Sequence, residues 1–553
     1  MKFSDLVGLY KKLEATPKKL EKTEILAEFY KKCSEDDLYK AVVLSMGTVF
    51  PRGDEDLGIA DGMIKKVISK VTGYSNDKVI NIFKTTGDLG LTAEKLMQHR
   101  KQKPLTKRVV TIDLVFDDLR GLPELTGAGS QERKIDLVSE LMTNSSPEEA
   151  KYIVRICLSQ MRIGVAAGLV RDAIAKAFDQ DKKEVEHIYN LVGDYGSVAE
   201  KAKKGHMKAE IEIGKPINVM LADRGGSDVV AAVKEFEKAA IETKYDGFRC
   251  IIHKDGEKIK VFSRRLEDVT KQFPDIVKYA AEALKAKQCI VDGEAVAYDY
   301  ERNRTLAFQK LSRRIQRKYD IEKTVKEIPV QVNLFDIIYL EGESMMDLPL
   351  TERWPALKKI IKETKSMKLA THLETKDGKE AEKFYENALK DGQEGVIVKN
   401  MEAKYQPGRR VGYWVKVKPI MEPLDLVITG AEWGEGKRAK WLSSMILACK
   451  AGNKFLETGK MASGFTEDQL EELTKKLKSL TIETKGKEVK VKPEVVVEIG
   501  YEEIQASSKY ESGYALRFPR LLRIRDASEK GPADADTLQT IEKLYKLQRG
   551  RKK

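Results

Sequence analysis

Apolar residues in this chain keep one period up to about residue 215 and another beyond it. In the first stretch Phe3, Leu6, Val7, Tyr10 and Leu13 recur at helical spacing, and Ser146-Pro147-Glu148-Glu149 sets an N-cap, a first-turn proline and a capping-box glutamate ahead of a long apolar-periodic segment. From about Pro216 the pattern becomes that of strands. RCIIHKDGEKIKVFSR places two β-rich runs around Asp255-Gly256, and CIVDGEAVAYD, VQVNLFDIIYL and EGVIVKN read as further strands. A helical stretch from Phe273 to Ala286 lies among them, so this region is mixed α/β. After Lys418-Pro419, LDLVITGAEWGEG, KVKPEVVVEIGYEEIQASS and ALRFPRLLRIR supply short strands between glycines and polar turns, the pattern of a small β-barrel such as an OB-fold. The basic end, KLYKLQRGRKK, reads as a terminal helix fraying into a tail. At 553 residues the chain exceeds the size at which a single core stops growing. We expect a multidomain protein: an all-α module over 1–214, an α/β module over 215–419 and a β-barrel over 420–553.

Charge and cysteine usage narrow the partners. Lysine and arginine outnumber aspartate and glutamate to give a net +13, which suits a polyanionic partner and equally suits a lysine-rich soluble surface. The five cysteines, Cys33, Cys157, Cys250, Cys289 and Cys449, form no CxxC pair, which argues against a zinc ribbon or a disulfide framework and fits a reducing compartment. The start, MKFSDLVGLYKKLEAT, lacks an apolar h-region, and no run of 18 or more apolar residues occurs, so a soluble, cytoplasmic protein without membrane contact is expected.

Four stretches carry candidate chemistry. Lys244 in ETKYDGFR precedes an Asp-Gly turn, and is either a solvated surface charge or a nucleophile, since lysine loses its proton readily when cations or apolar walls crowd it. Glu294 in DGEA and Glu394 in QEGV sit in glycine-flanked strands, where a carboxylate is either a solvated strand-end acid or a hard oxygen ligand for magnesium. In Trp414-Val415-Lys416-Val417-Lys418 the two-residue period sends both lysines to one face beside the tryptophan, an arrangement suited to a triphosphate or to an exposed edge strand. Arg517, Arg520, Arg523 and Arg525 crowd one β-like segment, as phosphate or nucleic-acid contacts would.

Taken in order, KYDGFR, FSRRLEDVT, DGEAVAYD, FDIIYLEG, EGVIVK, WVKVK and RFPRLLRIRD resemble the nucleotidyltransferase motifs of ATP-dependent DNA ligases, of the archaeal and eukaryotic replicative type. Gly87-Asp88-Leu89-Gly90, LTGAGSQERK and MRIG extend the resemblance into the helical part, so it covers nearly the whole chain. It implies a helical DNA-binding domain, an ATP-grasp-like nucleotidyltransferase domain and a C-terminal OB-fold. It also implies that Lys244 takes AMP from ATP and passes it to the 5′-phosphate of a nick in duplex DNA, in replication, repair and recombination. By position Glu242 would contact adenine and Phe335 would stack on it, while Arg249 and Arg264 would hold the ribose and phosphate side. Glu294 and Glu394 would organise magnesium, or manganese in its place. Lys399, Lys416 and Lys418 would stabilise phosphate charge, and Arg517 and Arg523 would orient pyrophosphate after a hinge closure near Lys418-Pro419 to Pro423. Thr126, Gly127, Gly129 and Ser130 lie before an expected helix whose amides can grip a DNA phosphate; the bland alternative is a connecting loop.

Some features weigh against neighbouring readings. A sliding-clamp partner is doubtful, because Lys101-Gln102-Lys103-Pro104-Leu105-Thr106 carries no aromatic pair. NAD-dependent ligases have zinc-binding cysteines that are missing here, and Gly434-Glu435-Gly436-Lys437 is followed by Arg438 rather than completing a P-loop. An mRNA-capping or RNA-ligase relative remains the enzymatic rival, and a catalytically silent DNA-encircling protein the non-enzymatic one. A monomer is expected.

Overall fold

In a computed structural model of the chain, residues 1–548 are described apart from 52–56, 102–107, 225, 307, 316–319, 409–411, 420, 435–437, 439 and 527. The candidate clamp segment and the GEGK string thus fall largely outside the described residues. The chain divides into two compact units. One comprises Met1–Leu221, Gly247–Leu369 and Ala403–Arg409, the other Ala222–Asp246, Ala370–Glu402 and Arg410–Lys553.

The first unit begins with helices from Phe3–Ala15 to Tyr195–Lys203. Phe3, Leu6, Val7, Tyr10 and Leu13 are all buried, as their spacing requires, in a core that extends to Ala202. Ser146 and Glu149 exchange both hydrogen bonds of a capping box at the start of the helix Pro147–Cys157. At the far end of that helix the buried Arg155 forks onto Asp88, with Nη2 at 2.8 Å and Nε at 3.2 Å, and also reaches Glu14 and the Met161 carbonyl. Asp88 in turn caps the helix Leu89–Gln98 by accepting from the Gly90 and Leu91 amides. One guanidinium therefore ties GDLG to MRIG.

The same unit holds a seven-stranded sheet. The predicted hairpin is its edge, Lys258–Ser263 against Phe248–Asp255, followed inward by Gln288–Asp299 and Val330–Leu340. The helix expected from Phe273 runs Pro274–Ala283 and packs on these strands, while Leu350–Ile360 covers Val330–Leu340. Arg353 on the latter helix is fully buried and pairs with Asp336 on the strand, with Nε 2.8 Å from Oδ1. A guanidinium without solvent contact is tolerable only because carboxylate and carbonyl oxygens take its donors, here Asp336, Leu348 and Ala403.

The second unit opens with a five-stranded sheet in the order Asp223–Arg224, Trp414–Val417, Gly395–Asn400, Ala239–Lys244, His372–Glu374. Only the first pair is parallel. The helices Val229–Lys234 and Gly378–Lys390 pack on one face, burying Val229, Val233, Ile241, Val396, Val398 and Val417. By the two-residue alternation of a strand, Glu242, Lys244, Lys399, Trp414 and Lys416 occupy the opposite face. Farther along lies a six-stranded antiparallel sheet, Lys454–Met461, Leu442–Ala451, Leu424–Trp433, Glu488–Gly500 and Thr481–Lys485, with Arg520–Ile524 also on Glu488–Gly500. The helices Glu467–Ser479 and Leu538–Leu547 pack against its core. No helix among the described residues is long and apolar enough to cross a membrane.

Candidate active site

Lys244 ends the strand Ala239–Lys244, whose apolar residues Ala239 and Ile241 face the helices. Its ammonium donates to Oε2 of Glu394, which the neighbouring strand supplies through the pairing of Gly395 with Lys244. Lys418 Nζ lies 3.5 Å from the other oxygen of Glu394, and 2.9 Å from Glu502. Glu394 therefore sits between two ammonium groups. Its position depends on Gly395, where φ is +144° and a Cβ would lie 2.2 Å from the Val417 carbonyl oxygen. Only glycine lets the two strands approach so closely at that backbone angle.

Two residues before Lys244 on the same face, Glu242 is buried and held at both oxygens. Lys399 Nζ donates to Oε2 at 2.7 Å, and His372 Nδ1 stands 3.0 Å from Oε1. Lys399 also lies 4.3 Å from the centroid of the Trp414 ring, a cation–π contact. Lys416 is half-buried on this face, paired in register with Ile397. The sheet thus gathers Glu242, Lys244, Glu394, Lys399, Lys416 and Lys418, with His372 and Glu502 added.

In the other unit, Gly247 opens the strand Phe248–Asp255 at a point where a Cβ would meet the Ala295 carbonyl at 2.4 Å. Close approach of backbone, more than turn formation, is why a glycine follows Asp246. Arg249 forks onto Asp292, Nε to Oδ1 at 2.9 Å and Nη2 to Oδ2 at 2.5 Å, and donates to the Met220 carbonyl at 2.7 Å. Burial opposes its charge, but Asp292 more than offsets this and holds the guanidinium above its ordinary pKa. Tyr405 completes the anchor by donating to Asp292 at 2.9 Å, its phenol pushed well up by burial and by Asp292. Glu294 is the cross-strand partner of both Arg249 and Asn333. Phe335 occupies the bulge between the Asp292–Asp336 and Gly293–Leu334 pairs, with the Arg249 guanidinium 5.4 Å from its ring centroid. Arg264 is exposed in the turn after Lys258–Ser263.

The arginine-rich segment is divided between two strand pairs. Phe518 at φ +50° and Pro519 break it into Tyr514–Arg517, paired with Glu503–Ala506, and Arg520–Ile524, paired with Glu488–Gly500. Arg517 meets Glu503 at 3.4 Å and Asp246 at 3.7 Å, beside the lysine motif. Arg523 is instead half exposed against Glu498 and Glu529, and Arg525 forks onto Asp425. In the helical part, Gly127 and Gly129 adopt φ of +79° and +74° ahead of the helix Ser130–Asn144, and Arg133 fixes the loop by donating to the Thr126 and Ala128 carbonyls. Asp292, Tyr405, His372 and Glu502 escaped the reading of the sequence. Only Asp292 carried a local signal, as part of DGEA.

Three family profiles cover the chain: DNA ligase N terminus over residues 2–175, ATP dependent DNA ligase domain over 219–418, and ATP dependent DNA ligase C terminal region over 438–528. The DNA ligase of Nanoarchaeum equitans (strain Kin4-M) is 45% identical, with 100% of this chain and 99% of the relative aligned. That of Thermococcus fumicolans is 43% identical, with 99% of each aligned. A solved chain called Pmar-Lig_PreS3 shares the fold at a TM-score of 0.58 and 19% identity, over 94% of this chain and 99% of that one. The chain belongs to the ATP-dependent DNA ligase family. It is an ATP-dependent DNA ligase, with archaeal relatives across its full length, and seals nicks in DNA.

Proposed function

We propose that the chain seals 5′-phosphate/3′-hydroxyl nicks in duplex DNA through AMP carried on Lys244. The observation that carries this reading is the contact of Lys244 with Glu394, whose carboxylate is shared with Lys418. For the first step the ammonium proton has a carboxylate within hydrogen-bond reach. The freed lone pair forms an N–P bond to the α-phosphorus of ATP, and the bond to pyrophosphate breaks with its electron pair on the leaving oxygen. A phosphate oxygen at the nick then displaces Lys244 from phosphorus, and the 3′-hydroxyl displaces AMP from the DNA. Lys416 and Lys418 stabilise the phosphate charge that develops, while Glu242 and Phe335 hold the base, and Arg249 and Arg264 the ribose side; Lys399, expected on the phosphates, is buried against Glu242 and so serves the base end instead. Arg517, already beside Asp246, suits the pyrophosphate, and Arg523 would need to leave Glu498 and Glu529 to join it.

Each of the two candidate carboxylates, Glu294 in one unit and Glu394 in the other, is a donor of the kind magnesium takes. Among the described residues no group of three or more His, Cys, Asp or Glu forms a cage. Glu294 and Glu394 are hard oxygen ligands, and magnesium takes one or two carboxylates with substrate phosphates and water. When bound there it neutralises charge on the triphosphate. We read the C-terminal strands as an OB-fold, the central module as ATP-grasp-like, and the domains as 1–214, 215–419 and 420–553, with a hinge at 418–423. Opening that hinge would part Lys418 from Glu502 and Arg517 from Asp246.

Intact-mass measurement after incubation with ATP and magnesium tests this. The wild type should gain one adenylyl group that pyrophosphate removes, and Lys244→Ala should gain none. Sealing of nicked DNA in preference to nicked RNA separates the reading from an RNA ligase. Folded wild-type protein that forms no adduct would sink it.

A further inference from the structure

The clamp on Glu242 is more elaborate than a buried acid needs. Lys399 at one oxygen already neutralises the charge, yet the strand His372–Glu374 places His372 directly opposite Glu242 and brings Nδ1 to the other oxygen. All three side chains are nearly excluded from water, at 4% exposure for Glu242, 1% for Lys399 and 6% for His372. A carboxylate oxygen accepts and does not donate, so Nδ1 carries the hydrogen in this contact. On its far side the ring is met by Glu374, Oε1 standing 3.5 Å from Nε2.

We propose that His372 is a positioning residue that sets base specificity, by fixing the plane of the Glu242 carboxylate so that it meets the nucleobase as an acceptor. The inference rests on the reading of Glu242 as the base contact. Each carboxylate oxygen offers about two lone-pair directions. His372 and Lys399 take one direction on each oxygen, leaving the remainder with a fixed aim. A purine with an amino group at position 6 presents a donor to that aim. A 6-oxo purine presents an acceptor, leaving two oxygens facing each other without a hydrogen, and sites built to hydrogen-bond a donor discriminate strongly against such analogues. Lys399 alone cannot hold the plane, because one contact leaves the carboxylate free to turn about its last bond.

The test measures equilibrium binding of ATP and of inosine triphosphate, which carries oxygen in place of the 6-amino group, by calorimetry on the full chain without divalent metal. Adenylation of Lys244 with magnesium and each nucleotide is followed in parallel. His372→Leu should weaken ATP binding about tenfold, the loss expected for a hydrogen bond to a charged group, and shrink the preference for ATP over inosine triphosphate by a similar factor. The KM for ATP should rise more than kcat falls. His372→Asn, whose amide can occupy the place of Nδ1–H, should restore both. If His372→Leu leaves the ratio intact while Glu242→Gln collapses it, the proposal is overturned and the base contact of Glu242 stands. If Glu242→Gln also leaves the ratio intact, that contact falls with it. A drop in thermal midpoint with an unchanged nucleotide ratio would make His372 a purely structural link, which also overturns the proposal.

Discussion

At the scale of single residues, Gly395 and His253 have measurable consequences. Gly395→Ala forces a Cβ to within 2.2 Å of the Val417 carbonyl oxygen at a φ that side chains rarely adopt. We expect a loss of about 2–3 kcal/mol in urea unfolding and slower adenylation, because Glu394 moves with the strand. An unaltered midpoint would show that the strands separate without cost. His253 accepts from the Gly214 amide at 3.1 Å; burial, with the Lys260 ammonium adding to it, lowers its pKa from 6.5 to about 3. Between those values the unfolded chain binds a proton that the folded chain refuses. Its contribution to stability is therefore intact above pH 6.5 and lost as the pH falls toward 3, at up to about 1.4 kcal/mol per pH unit. His253→Asn keeps an acceptor for Gly214 and removes the titration, so its urea midpoint should fall less than that of the wild type between pH 7 and pH 5.

Among the elements, the helix Pro147–Cys157 shows how far local chemistry reaches. Ser146 Oγ accepts from the Glu149 amide at 3.2 Å, and the Glu149 carboxylate accepts from the Ser146 amide at 2.7 Å. Ser146→Ala should cost about 1 kcal/mol in chemical denaturation, with rescue by Asp, which can still accept from the amide. The arginine-rich segment shows the opposite. Its arginines crowd one short stretch of sequence, yet residues only a few positions apart belong to different strand pairs and answer different acids.

For the whole molecule, charge is the relevant property. A net +13 on an enzyme that acts on duplex DNA predicts association dominated by phosphate contacts and counterion release. Binding to nicked duplex, followed by fluorescence anisotropy, should fall roughly a thousandfold between about 50 mM and about 200 mM salt, with the same slope for unrelated sequences. A flat salt response would argue against an extended phosphate footprint.

Sequence by itself determined the order of modules, the cores of the helices, the hairpin around Asp255-Gly256, the capping box and the face shared by Trp414 and Lys416, because each follows from local periodicity or from hydrogen bonds a few residues long. It also marked Lys244, Glu294 and Glu394 as candidates through glycine-flanked motifs. What only the tertiary structure decided is which charge answers which. Glu394 reaches Lys244 across 150 residues, and His372 reaches Glu242 across 130. Arg249 finds Asp292 across 43 residues and Tyr405 joins the same carboxylate across 113. Such pairings are set by sheet register and by the exclusion of water from particular side chains, and neither quantity exists until distant strands lie beside one another.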